Sequence, residues 1–373
     1  MRIAINASDL DHSRIDGTRI YIQNLLKNFG LLDSEDQFLI YHKSEFNPEL
    51  TFPQFTNYKI KKLEFSFWWT QTRFAWEICR EKPDVLWMPM HSLPYFQSSK
   101  TKTVVTIHDL AFKIFPQFFP RSDLRRLNLL TNYAVRHADK LIAVSESTKK
   151  DILKFYPAVS PEKIKVIYHG YDKNLFRPNL EEKEITRVRT KYGIPDGRYI
   201  LSAGSIQIRK NLETLLDAFS ELKKLAEFED VNLVIAGQKG WMFENVLERI
   251  EKQSNAFYIG TYTARDLPFL LGGAEVFVMP SLYEGFGLPV LEAMACGTPV
   301  VAANNSSLAE VVAEAGKLFE SRNSTELSGI LQEMLKNDIM IEKYREKGLK
   351  RAENFSWEKC ARETLDWLRN DIK

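Results

Sequence analysis

Cysteine is scarce in this chain of 373 residues: Cys79, Cys296 and Cys360 are odd in number and far apart. They form neither a disulfide framework nor a cysteine-rich metal cluster, which suits a reducing compartment. An excess of one charge is lacking too. Lys plus Arg is 51 and Asp plus Glu is 49, a net of +2, so total charge gives no reason to expect nucleic acid as a partner. No apolar run is long enough to span a bilayer. Met1-Arg2 runs directly into a strand pattern without an apolar leader, so the expected location is cytoplasmic. HExxH, CxxC, Walker A and the three-glycine dinucleotide fingerprint are all missing. Asp9-Leu10-Asp11 is a D-x-D, but it lacks supporting ligands and reads as loop. Neither a metal nor a tightly held cofactor is expected.

What is present is a regular alternation of short apolar strands and helical patterns, the mark of an α/β protein with parallel sheets. In the first half the strands read as 2–8, 38–42, 58–63, 84–88, 103–108, 140–145 and 164–168. Residues 171–198 are polar, charged and proline-containing, and read as an interdomain segment. A second series follows at 199–204, 232–237, 257–260, 275–280 and 299–303, and the tail from Ser321 is helical. The length suits two cores. The expected architecture is two Rossmann-like domains, 1–178 and 179–355, facing across a cleft, with residues 356–373 as a final helix. Charge divides unevenly: residues 1–178 hold 26 Lys/Arg against 19 Asp/Glu, a balance of +7, and the remainder 25 against 30, or −5. A basic first half suits an anionic partner such as a phospholipid surface or a lipid-phosphate acceptor, although solvated faces give the same count.

The densest chemistry lies in Glu284-Gly285-Phe286-Gly287-Leu288-Pro289-Val290-Leu291-Glu292. It follows the apolar run AEVFVMPS and opens a helix with Pro289 in its first turn and Gly297-Thr298-Pro299 at its end. Strand, glycine-rich loop and helix N-terminus make an anion site. Two carboxylates, Glu284 and Glu292, bracket it, and carboxylates accept hydrogen bonds from hydroxyls. A ligand carrying phosphates and hydroxyls together is a sugar nucleotide. The first strand of the second series ends in Gly204-Ser205-Ile206-Gln207-Ile208-Arg209-Lys210. Arg209 as a fork and Lys210 as a compact charge can hold a pyrophosphate; alone, the pair also fits a solvated helix start.

In the first half, His108-Asp109 closes an apolar strand at its carboxyl end, where such sheets bind ligands. His108 can address a sugar hydroxyl or a phosphate, and Asp109 can face an acceptor or cap the next turn. Gly17 and Thr18, in Asp16-Gly17-Thr18-Arg19, precede a helix expected from about Ile20 and either meet an anionic acceptor or form a plain β–α turn. Two aromatic–basic stretches can touch lipid or acceptor. One is Phe65-Ser66-Phe67-Trp68-Trp69 with Arg73, Phe74, Trp76 and Arg80; the other is Phe118-Phe119-Pro120-Arg121 with Arg125 and Arg126. For the first, an aromatic core face is the stronger reading.

At these residues the chain resembles the retaining glycosyltransferases of family 4, which have the GT-B fold, over nearly its whole length. SLYEGFGLPVLEAMACGTPVVA carries the E-x7-E pattern at Glu284 and Glu292, and GSIQIRKN carries the phosphate-binding lysine at Lys210. VVTIHDLAFKIFPQFFP is similar to the subgroup with many bacterial mannosyltransferases, with His108 as a donor-sugar contact. SSLAEVVAEAGKLF and FSWEKCARETL match further downstream. The family's usual arginine is Ser205 here, and Arg209 is the candidate replacement. The resemblance implies a donor site in which Glu292 binds ribose hydroxyls, Glu284 binds donor-sugar hydroxyls, and the backbone of Phe286, Gly287 and Leu288, with Gly204 and Ser205, holds sugar and phosphate. It implies a hexose, mannose from GDP-mannose before a UDP-sugar, passed to a glycan or lipid-linked acceptor without a metal. Peripheral contact with an anionic membrane is a further expectation. Other readings of the residues are a non-catalytic two-domain sugar-binding protein and a sugar-nucleotide epimerase.

Overall fold

The structure is a computed structural model, which describes residues 1–12, 16–32, 35–48, 54–65, 67–240 and 243–370. Ser66 of the first aromatic stretch lies outside them. The chain divides into two compact units, one formed by Met1–Gly170 with Trp357–Lys373 and the other by Tyr171–Ser356.

The first unit holds strands β1 (Arg2–Asn6), β2 (Gln37–His42), β3 (Tyr58–Lys62), β4 (Val85–Met88), β5 (Lys102–Ile107), β6 (Lys140–Ala143) and β7 (Ile164–Val166). They form one sheet in the order β3-β2-β1-β4-β5-β6-β7, with parallel pairing throughout. The central strands are near-continuous apolar runs because helices cover both faces. Edge strand β3, YKIKK, is the exception: its alternate lysines keep an open edge soluble. The Trp357–Arg369 helix belongs to this unit, where Trp367 Nε1 donates to the Leu141 carbonyl at 3.2 Å and Arg369 Nε to Asp36 at 2.9 Å.

The second unit holds β8 (Tyr199–Ala203), β9 (Asn232–Ala236), β10 (Ala256–Tyr258), β11 (Val276–Met279), β12 (Val300–Ala303) and β13 (Lys317–Phe319), all parallel, in the order β10-β9-β8-β11-β12-β13. Chain direction along the sheet reverses between β8 and β11, so the following loops splay apart there and leave a crevice at the carboxyl edge. In the first sheet the same reversal falls between β1 and β4.

The boundary between units falls ahead of residue 178. The polar segment is not a bare linker: Glu182–Lys191 is a helix with Ile185 and Val188 buried. Asp266, itself buried, takes Arg187 at 3.2 Å, Lys191 at 2.5 Å and the Tyr192 hydroxyl at 2.9 Å. Charges that read as part of an interdomain segment are therefore anchors within the second unit. Strand β13, absent from the sequence reading, is only three residues long and lacks a periodic signature.

Candidate functional site

The loop after β8 and the loop after β11 meet at the second sheet's crevice. Lys210 Nζ lies 2.7 Å from Glu284 Oε1, and Arg209 Nη1 lies 3.2 Å from Glu284 Oε2. All three side chains are at least 85% removed from solvent. Burial alone would raise the Glu284 pKa; Lys210 and Arg209 outweigh it and hold the carboxyl down at about 2. The set is thus two cations on one ionised carboxylate, an excess of one positive charge where water is scarce. Gly204 has φ +145° and packs against the Lys210 side chain, whose Nζ would stand 3.5 Å from any Cβ there. Beneath lies a small recess lined by Ala203, Gly204, Ser205, Lys210, Met279 and Pro280. Ser205 Oγ accepts from the Gln207 side chain at 3.1 Å.

Gly287 precedes the Leu288–Ala295 helix with φ +97°, and a Cβ there would come 2.8 Å from Leu308 Cδ2. Glycine is required for the sharp entry that presents the helix N-terminus. Phe286 and Leu288 are buried, Phe286 edge-on to Phe355; only their backbone is suited to a polar ligand. Glu292, in the second turn of the same helix, is also buried. No cation offsets the desolvation, and its pKa is pushed up to about 8. The two carboxylates of the E-x7-E pattern therefore differ in state at neutral pH: Glu284 is ionised and Glu292 is largely protonated.

Residues that the sequence reading did not single out fix this loop. Ser306 Oγ accepts from the Glu284 N–H at 3.0 Å, and Ser307 Oγ donates to the Glu284 carbonyl at 2.9 Å. Asn305 Nδ2 donates to the Ser281 carbonyl at 2.9 Å. From the other side, Leu282 N donates to the Arg209 carbonyl at 2.8 Å and Asn211 Nδ2 to the Pro280 carbonyl at 3.0 Å. Asn305-Ser306-Ser307 looks in sequence like an ordinary helix cap. Its polar atoms instead hold the peptide groups of Glu284 in place.

In the first unit, the helix after β1 begins at Gly17, ahead of the expected Ile20, so Gly17 and Thr18 form its first turn. Asp16 and Arg19 pair with each other, and Arg19 Nε donates to the Asp9 carbonyl at 3.0 Å. The D-x-D is a 3₁₀ turn, Ser8–Asp11, in which Asp11 accepts from the Lys43 and Ser44 amides at 2.8 Å each. That carboxylate serves the backbone, and no group of potential metal ligands occurs among the described residues. Asp109 Oδ1 accepts from the Ala111 amide at 3.0 Å, the turn-capping alternative. His108 donates from Nε2 to the Pro89 carbonyl at 2.8 Å, and its N–H donates to His91 Nε2 at 2.7 Å. A carbonyl can only accept, so this bond fixes His108 as the Nε2–H tautomer with Nδ1 as an acceptor. Tyr21 and His169 pack beside it at ring distances of 5.0 and 5.8 Å. Burial pushes all three histidine pKa values down, His91 to about 4.

Residues 184–351 match the family model of glycosyl transferases group 1, and residues 36–175 that of glycosyltransferase family 4. The O-antigen chain mannosyltransferase B of Escherichia coli is 30% identical over 299 residues, covering 79% of this chain and 76% of that one. The serotype-specific mannosyltransferase WbdA of Escherichia coli is 28% identical over 269 residues, 70% of this chain and 32% of WbdA, so the chain spans about a third of that relative. A crystal structure of Anabaena HepE in complex with UDP and glucose superposes with a TM-score of 0.76 and 18% identity, covering 99% of each chain. The two parallel sheets, the matched models and the relative at 30% identity agree: the chain belongs to the family 4 glycosyltransferases and has the GT-B fold.

Proposed function

We propose that the protein is a retaining, metal-independent mannosyltransferase that takes its sugar from GDP-mannose and passes it to a glycan or lipid-linked acceptor in polysaccharide or envelope assembly, at the cytoplasmic face of a membrane. The observation that carries this reading is the Lys210–Glu284–Arg209 set at the crevice between β8 and β11. The difficult step in such a transfer is departure of a nucleoside diphosphate, which leaves negative charge on the pyrophosphate and positive charge on the sugar. Lys210, Arg209 and the N-terminus of the Leu288–Ala295 helix supply fixed positive charge for the leaving group. One preorganised donor of this sort contributes about 3 kcal/mol. Glu284 is ionised, so it serves as an acceptor for sugar hydroxyls and as a counter-charge to the developing cation, not as a proton donor. Glu292 receives the ribose hydroxyls. Retention follows if the acceptor attacks from the face that the diphosphate leaves, through a short-lived ion pair.

Mannose is favoured by the names of the two Escherichia coli relatives, both mannosyltransferases. A UDP-sugar is the second reading, favoured by the HepE complex with UDP and glucose. Thermal unfolding with GDP, UDP and ADP separately distinguishes them, since a ligand at 100 times its Kd adds about 2.7 kcal/mol. A shift with GDP alone, followed by mannose transfer from GDP-mannose, is the expected result. A shift with UDP alone moves the donor to UDP-sugars, and no shift with any of them removes the nucleotide-site assignment.

A further inference from the structure

Among the described residues, nine large hydrophobic side chains are exposed, and six of them sit on three segments of the first unit: Phe65, Phe67, Trp68, Trp76, Phe96 and Leu129, between 48% and 74% exposed. These segments follow the carboxyl ends of β3, β4 and β5, and they are tied together. The Gln71 side chain donates to the Leu93 carbonyl at 3.0 Å and accepts from the Tyr95 amide at 2.8 Å. Tyr133, on the Arg121–His137 helix, donates to the Tyr95 carbonyl at 3.1 Å, with the two rings 4.5 Å apart. Trp68 is held with φ +45°, a left-handed conformation that costs a non-glycine residue about 1–2 kcal/mol. Thr72 Oγ1 donates to the Phe67 and Trp68 carbonyls at 3.0 and 3.1 Å. The fold thus stabilises a strained turn whose two aromatic side chains are left in water, while the neighbouring Trp69 and Phe74 fill the core.

Charge accompanies the aromatics. The Arg73 and Arg80 guanidiniums flank the Trp76 ring at 5.0 Å each, and both pair with Glu77, a carboxylate buried underneath. Arg121, Arg125, Leu129 and Arg136 lie at spacings that share one helix face, all exposed. Residues 65–80, 92–97 and 121–136 hold six arginines against two acids, Glu77 and Asp123. Exposed Trp and Phe interleaved with arginine, with Glu77 tucked inward and Asp123 paired with Arg126, is the composition of a surface that lies in a bilayer interface.

We infer that these three segments form one docking face for an anionic lipid bilayer, with Phe67, Trp68 and Phe96 entering the headgroup region and Arg121, Arg125 and Arg126 contacting lipid phosphates. This rests on the proposed lipid-linked acceptor for its purpose, but not for its geometry. A transferase seated in this way meets a membrane-borne acceptor by diffusion in two dimensions.

The test is flotation of the full chain with vesicles of phosphatidylcholine, with and without phosphatidylglycerol. Wild type should float with the phosphatidylglycerol vesicles, less so in high salt. The triple variant Phe67→Ser/Trp68→Ser/Phe96→Ser and the double variant Arg125→Glu/Arg126→Glu should each lower the bound fraction about ten-fold or more. Sugar transfer to a water-soluble acceptor and the nucleotide-induced thermal shift should be unchanged in both, which also shows that they fold. Wild type that stays with the soluble fraction, or variants that float like wild type, overturns the inference. So does loss of soluble-acceptor transfer with flotation intact, which makes the face an acceptor or protein contact. The nucleotide shift reports on the second unit, so failure of the donor-site reading is seen separately from failure to float.

Discussion

At the crevice between β8 and β11, the second unit gathers ionised side chains: Lys210 and Arg209 around Glu284. After β4, β5 and β7 the first unit gathers His108 and His169 around Tyr21, with His91 stacked on His108; all three histidines have burial-lowered pKa values and so are neutral near pH 7. Both are carboxyl edges of parallel sheets with one reversal of strand order, so the fold alone does not distinguish them. The side chains do. The charged edge, with one positive charge in excess, suits an anionic ligand such as the proposed diphosphate. The neutral edge can exchange single hydrogen bonds with uncharged hydroxyls at little electrostatic cost.

The largest expected effect tests the charged edge. Glu284→Gln should cut turnover by about 10²–10³-fold while nucleotide binding survives. It also leaves two buried cations without a carboxylate, so the unliganded protein should melt lower by the equivalent of about 3 kcal/mol. GDP or UDP, whichever binds wild type, would then supply the missing negative charge and give a larger thermal shift than in wild type. Undiminished turnover would remove Glu284 from the reaction. Next in size, Lys210→Ala should weaken nucleotide binding about 10- to 100-fold, measured by titration calorimetry. The matching change on the neutral edge, His108→Ala, should leave nucleotide affinity within about two-fold, since no ionic contact is lost. Equal losses from both would erase the contrast between the edges.

The third prediction sets the units against each other by pH. Glu292 has a folded pKa near 8, above an unfolded value of 4.5. Between these values the unfolded chain binds fewer protons, so this group's contribution to stability falls as pH rises through that window. The buried histidines act in the opposite sense. Their folded values lie below 6.5, His91 near 4, so the unfolded chain binds more protons there and the first unit loses stability as pH drops below about 6.5. Over pH 7 to 5, Glu292 and His91 each account for about 2 kcal/mol, and His108 and His169 add to the histidine side in the same direction. Hydrogen exchange followed by mass spectrometry should show core protection of the first unit declining and that of the second rising. Glu292→Gln should flatten the second trend only. Parallel trends in both units would contradict the burial of one set.

Much of this was legible beforehand. Twelve of the thirteen strands among the described residues coincide with strands read in the sequence, most of them short apolar runs bounded by turn residues, because buried parallel strands need little else. Glu284 and Glu292 stood out because they bracket a glycine-rich loop between a strand and a helix N-terminus, and Lys210 gained weight only when joined to them in one unit. The rest depended on distances that sequence does not encode. Nothing in Asn305-Ser306-Ser307 shows that its polar atoms serve Glu284 and Ser281 more than twenty residues earlier. Arg187 and Lys191 looked like linker charges until Asp266 was placed beside them. The stretch around Trp68 divides between core and surface: Trp69 and Phe74 are buried, while Phe67 and Trp68 are exposed. A left-handed residue at Trp68 makes that division, and periodicity carries no signal for it.

The smallest effect separates the two sources of positive potential at the charged edge, the side chains and the helix N-terminus. Gly287→Ala leaves Arg209, Lys210 and Glu284 intact but places a Cβ 2.8 Å from Leu308 at a φ of +97°. The strain is about 1–2 kcal/mol, and relief requires the helix entry to turn away from the crevice. Stability should drop by that amount, and nucleotide affinity by a few-fold, with pH dependence unaltered. Gly329 is a control in the same unit: it lies within the Ser324–Leu335 helix with open space around it, so Gly329→Ala should stabilise by about 0.5–1 kcal/mol without touching affinity. If Gly287→Ala lowers stability yet leaves affinity at the wild-type value, the ion set alone makes the charged edge, and the helix N-terminus is a scaffold for the Glu284 loop.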